Sequence, residues 1–156
     1  NNMKNILFLL ITLFLAGSIS AQDHSAEEMA MMQEVFGDEK RTIIQENVNL
    51  EGVDTDKFWK LYDQYEDQRK DIGMEKMKLL KSYTTKQGNM TPLQAQEMLA
   101  QAADLRSAED KLIMNFTKRI EKISNPFVAV QFYQIEHYIS DGIRFSILNS
   151  VDFIQD

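Results

Sequence analysis

The chain has 156 residues, a formal net charge of −7 and no cysteine, which excludes disulfide staples, thiol chemistry and Cys-ligated metals. Its acidic and basic residues are intermixed and the balance is acidic, which argues against nucleic acid, whose binding needs clustered Lys and Arg. Glycine and proline are scarce (six and two), β-branched alternation is nearly absent, and Glu, Gln, Lys, Met, Leu and Ala dominate; this composition predicts an all-α protein of one domain.

In chain order, Lys4 precedes an apolar run from Ile6 to Ala16, and small residues gather at Gly17, Ser18, Ser20 and Ala21. That layout is expected of a cleavable export signal over residues 1–21, followed by a single helical domain over 22–156. The run falls short of the ~20 residues that cross a bilayer, so no stable membrane anchor is expected after cleavage. No Cys follows the run, so no lipid-modified anchor is expected either. Losing Lys4 would take the charge from −7 to −8. The expected location is the periplasm.

Ser25 and Glu28 read as a capping box opening a first helix that runs to about Glu46, with Met29, Met32, Phe36, Ile43 and Ile44 on its apolar face. Gly37-Asp38 is a candidate interruption. Met29, Met31 and Met32 sit too close together to face one core, so some of that apolar surface is expected to be exposed to a protein partner.

After a connection over 47–53, Asp54 or Thr55 caps a second helix reaching about Lys86. Its aromatic residues Phe58, Tyr62 and Tyr65, with Leu61, follow the i, i+3, i+4, i+7 rule. The stripe continues through Ile72, Met77, Leu80 and Tyr83, and Trp59 lies at its edge. Asp63, Glu66, Asp67 and Asp71 read as part of a solvated face. Gln87 to Met90 forms a turn, with Gly88 or Asn89 suited to a left-handed cap. Thr91, Pro92 and Gln94 then make the strongest local signal in the chain, an N-cap, an N1 proline and the closing residue of a capping box. The third helix ends near Ile123, with a seam of Met98, Ala102, Leu105, Leu112, Phe116, Ile120 and Ile123. Asn125 and Pro126 repeat the start signal for a fourth helix to about Asn149, whose buried side is Phe132, Ile135, Ile139, Ile143 and Ile147, with Glu136 adjoining. Four helices with short joints predict a long antiparallel hairpin with two flanking helices.

Counting out from the turn places Arg69 on the second helix level with Glu109 on the third, which predicts an Arg69–Glu109 ion pair setting the register. His24 and His137 are isolated and no ligand spacing recurs, so no metal, cofactor or catalytic constellation can be assembled and no enzyme is expected.

Met90-Thr91-Pro92-Leu93-Gln94, in an exported, cysteine-free helical chain, resembles the Leu-Thr-x-x-Gln motif of the Spy/CpxP group of periplasmic proteins, with Met90 in place of Leu. A second copy would fall at Leu50-Glu51-Gly52-Val53, where the pattern is missing or degraded. Phe58-Trp59-Lys60-Leu61-Tyr62-Asp63-Gln64-Tyr65 looks like the Phe-Trp-Pro-x-Tyr-x-x-Tyr segment of Spy-like exported proteins, some labelled sensors linked to extracytoplasmic-function sigma factors. Phe132 to Glu136 is similar to their Arg-Phe-x-Gln-x-Glu segment, with Gln131 at the Arg position. The resemblance implies a periplasmic protein that binds unfolded or stress-related proteins without ATP. The surface expected to do so is Met29, Met31, Met32, Phe36 and Trp59. The second reading is a helix-docking module for one envelope partner, such as a sigma-factor-linked sensor. Whether the chain forms a homodimer is open at the level of sequence.

Overall fold

The computed structural model describes residue 37, residues 39–86 and residues 88–152. Four helices and no strand occur among the described residues: α1 (39–47), α2 (Thr55–Lys86), α3 (Pro92–Ile123) and α4 (Pro126–Ser150). Ser25, Met29, Met31, Met32 and Phe36, assigned above to a cap and to a partner surface, lie outside the described residues.

Helices α2 and α3 have 32 residues each, about 48 Å at 1.5 Å per residue, and pack antiparallel. Helix α4 folds back along α3, making an up-down-up array, and α1 packs on α2 and α4 at the end away from the hairpin turn. The predicted hairpin with two flanking helices is the observed fold.

Local chemistry sets the boundaries. Asp54 Oδ1 accepts from the Lys57 N–H at 3.1 Å, capping α2. Thr91 Oγ1 accepts from Gln94 N–H while Gln94 Oε1 accepts from Thr91 N–H at 2.9 Å, so the capping box over Pro92 is complete. Asn125 Oδ1 accepts from both Phe127 and Val128 N–H ahead of α4. Between α1 and α2 the Val53 N–H reaches Leu50 O, and Gly52, third in that turn, sits at φ 74°, where a side chain would be strained. The hairpin turn departs from the expected left-handed cap: neither Gly88 nor Asn89 has positive φ, and Asn89 N–H closes instead onto Lys86 O.

Among the described residues, full burial is confined to one end. Ile43, Ile44 and Val48 of α1 and its exit meet Phe58, Leu61, Tyr62 and Tyr65 of α2, Ile113, Phe116 and Ile120 of α3, and Val128, Phe132, Ile135 and Ile139 of α4. Edge-to-face ring pairs run through it, Tyr65 packing on Phe116 at 5.4 Å and on Phe132 at 5.1 Å. Each such pair adds about 0.5–1.5 kcal/mol beyond the area it buries. The α3 seam is rotated slightly from its expected position: Ile113 is fully buried, Leu112 only half, and Ala102 is exposed.

Replacing Thr91 with Ala removes one half of the capping box and leaves α3 without its start. A loss of about 1 kcal/mol in urea unfolding is expected, with no change in oligomeric mass.

Candidate functional site

The most concentrated chemistry lies inside the proximal core. Lys40 of α1 is fully buried, and its ammonium donates to Glu66 Oε1 of α2 at 2.7 Å and to Glu136 Oε2 of α4 at 2.6 Å. The Tyr65 hydroxyl donates to that same Glu136 oxygen at 2.6 Å, and the Lys40 ammonium stands 5.2 Å from the Tyr65 ring centre. Arg69 forks onto Glu66, Nε to Oε1 and Nη2 to Oε2, each at 2.9 Å. Two cations and two carboxylates therefore balance within one apolar shell, the condition under which buried charge is tolerated. Burial alone would raise the Glu66 carboxyl, but Lys40 and Arg69 together outweigh it and hold the group below its ordinary value. Burial, with Glu136 and Glu66 nearby, pushes the Tyr62 and Tyr65 hydroxyls well up, so both stay protonated. Tyr62 Oη and Glu136 Oε1 are buried and have no hydrogen-bond partner among the described residues.

A second, half-buried cluster sits at mid-height. Glu109 of α3 accepts from Lys76 of α2 at 2.5 Å and from the Ser140 hydroxyl of α4 at 2.7 Å, tying three helices at the level where full burial ends. Burial raises its carboxyl and Lys76 and Ser140 lower it, with a net downward shift.

These contacts correct two expectations. Arg69 and Glu109 do not meet: Arg69 lies along its own helix on Glu66, and Glu109 takes Lys76. The pairs Tyr65–Phe116, Gln64–Arg119 and Lys76–Glu109 all centre on residues 90 to 93, because the non-helical residues 88–91 lengthen the turn. A count centred on Gly88 therefore slips the register by about two helical turns. Glu66, read as part of a solvated face, is buried; the neighbouring Asp63, Asp67 and Asp71 are exposed as expected.

Trp59 is at the edge of the stripe, half-buried, with its ring edge-on to Phe58 and Tyr62. Its outer face carries the Arg41 guanidinium 4.2 Å from the ring centre, and Arg41 in turn pairs with Asp63 at 2.5 Å, so this part of the expected partner surface is partly covered from within the chain. The His137 ring lies tilted at 54° against Tyr133, with centres 4.3 Å apart. No group of acidic, His or Cys residues among the described residues could hold a metal ion.

Lys40 is the participant the sequence reading missed. It falls three and four residues before Ile43 and Ile44, on the apolar face of α1, where a lone cation asks for carboxylates on the facing seams. Glu66 and Glu136 are the two such carboxylates.

The distal half of the array has a different character. Beyond Glu66 on α2, before Ile113 on α3 and beyond Ile139 on α4, no described side chain is fully buried. Ile72, Met77, Leu80, Met90, Met98 and Leu105 are half-buried, and Met74, Leu93 and Leu99 are exposed. No described helix is long and apolar enough to cross a membrane. Comparison with known proteins returns no matching family model, no curated relative and no solved structure.

Breaking the proximal cluster should be costly. Lys40→Met leaves two carboxylates facing each other in an apolar shell and is expected to lose about 3–5 kcal/mol in urea unfolding. The pH dependence has a fixed sign. Glu66 and Glu109 have folded values below the ordinary 4.5, so their stabilisation is fully present above that value and is lost as pH falls through the lower, folded values. The urea midpoint should hold between pH 7 and 5 and fall steeply below pH 4.5; a flat profile down to pH 3 would contradict the paired state of these carboxylates.

Proposed function

We propose that this chain is a periplasmic, ATP-independent binding protein that holds unfolded or stress-damaged proteins, with the distal half of the α2–α3 hairpin as its working surface. The observation that carries this reading is the separation of a sealed, ion-locked proximal core from a distal arm rich in apolar side chains, none of those described being fully buried. Apolar surface left half-open is a binding surface in waiting. Four methionines, Met74, Met77, Met90 and Met98, lie in that arm. Unbranched thioether side chains adapt to partners of differing shape, as a binder of many sequences requires. The proximal core supplies the stability that lets the arm remain loosely packed. The export-like leader and the resemblance to Spy/CpxP proteins support the same reading.

The test is light scattering of several unrelated aggregating clients with the purified protein and no nucleotide. Suppression of all of them at near-stoichiometric ratios is expected. Leu99→Asp, at an exposed position, should weaken suppression several-fold while leaving the thermal unfolding midpoint in place. Silence toward every client, with retention of a single envelope protein on an affinity column, would replace this reading with that of a dedicated docking module.

A further inference from the structure

Helix α4 is apolar on two opposite sides. One side, centred on Val128, Phe132, Ile135 and Ile139, is the core face. The other carries Phe127, Val130, Tyr138, Phe145 and Leu148, which are 80%, 52%, 36%, 66% and 60% exposed. With the exposed Gln134 and Asp141, these residues recur at intervals of three and four along the helix. At about 100° per residue they fall within about 80° of arc, the narrow seam of a two-helix contact rather than scattered surface apolarity. A helix apolar on both sides needs two neighbours, and the described residues supply one side only.

The order of residues along this stripe says what the second neighbour is. Read from both ends toward the middle, Phe127 corresponds to Leu148, Val130 to Phe145 and Gln134 to Asp141, each pair centred between residues 137 and 138, with Tyr138 at that centre. The stripe is thus its own complement when reversed: large apolar residues face large apolar residues, and a side-chain amide faces a carboxylate that can accept from it. We propose that α4 pairs with α4 of a second copy of this chain, antiparallel, about a twofold axis beside Tyr138.

The alternatives within the same surface are disfavoured by named contacts. Asp141 is paired with Arg144 of its own helix. A parallel pair would set Asp141 against Asp141 of the other copy, where neither carboxylate gains a donor, and Gln134 against Gln134, whereas the antiparallel pair gives each carboxylate an amide. Sliding the antiparallel pair by one heptad would press Phe127 on Asp141 and leave Phe145 and Leu148 uncovered. An isologous contact of this kind repeats every interaction twice. With buried aromatics contributing about 150–250 Å² each, the two stripes would together remove roughly 1,000 Å² from water, the lower bound for a biological interface and the size of one in reversible equilibrium.

Analytical ultracentrifugation of the purified protein across a hundred-fold range of concentration tests this pairing. A monomer–dimer equilibrium is expected. Val130→Lys and Phe145→Glu should each weaken the dimer by about 100-fold, since each change acts at two symmetric contacts. The double variant carrying both should regain the dimer, because the introduced ammonium of each copy then faces the introduced carboxylate of the other. The native absence of cysteine allows a second readout: Tyr138→Cys should oxidise to a covalent dimer, and Glu121→Cys, exposed on α3, should not. Every substituted position is exposed in the single copy, so the circular dichroism spectrum of each variant should match that of the parent. A monomer at every concentration, a dimer indifferent to both single charge changes, or equal cross-linking from position 121 would overturn the proposal.

Discussion

The structure depends on one buried ammonium. Lys40 joins α1 to α2 through Glu66 and to α4 through Glu136, and it is the only described residue that does both with charge. Helices α2 and α4 otherwise meet through side chains that reach past α3, chiefly Tyr62 and Tyr65 on Phe132. Apolar rings give that junction its free energy but little direction, since aromatic contacts tolerate sliding. The Lys40 ammonium tolerates none. Two carboxylates left without it would repel each other in a medium of low dielectric, and any displaced register leaves a charge unmatched. Arg69 completes the balance from within α2, so that the cluster is neutral as a whole.

How far this arrangement could be read beforehand follows from the range of the forces involved. The caps at Thr91 and Asn125 were legible because each is a contact over two or three residues, written in the identity of Thr, Pro, Gln and Asn. The aromatic stripe at Phe58, Leu61, Tyr62 and Tyr65 was legible because helical period alone places those residues on one face. The true partner of Glu109 was not, because it depends on where the axis of the turn falls. The non-helical residues that run on to Thr91 carry that axis beyond Gly88, to between residues 90 and 93, and this gives Glu109 to Lys76. Glu66 was misread for a related reason: on a helix whose neighbours are acidic and exposed, one carboxylate facing inward is invisible until its cation is found on another element. Gly52 stands between these cases, a local requirement that becomes evident once the turn at Leu50–Val53 is seen to need a positive φ.

The division of the array into a sealed end and an open end gives its parts different freedoms. Fully buried rings and paired charges make the proximal end one cooperative unit, whereas half-buried aliphatics and methionines on the distal arm can be exposed at lower cost. Glu109 marks the boundary, holding α2, α3 and α4 together where the buried core stops. A protein that must offer apolar surface and still stay folded needs such a boundary, since otherwise opening the arm would propagate into the core.

The span of the Lys40 contacts has a kinetic consequence. Lys40 and Glu136 are separated by 96 positions and Lys40 and Glu66 by 26, whereas the α2–α3 hairpin closes across a turn of a few residues. Contacts between distant positions must overcome loop-closure entropy before they return any stabilisation. The hairpin can thus form while Lys40, Glu66 and Glu136 remain hydrated, and the ammonium loses its water only when α4 has folded back to bring the second carboxylate. Dehydrating it earlier would strand a charge. The last step of assembly is therefore also the one that makes the proximal half of the molecule a single body.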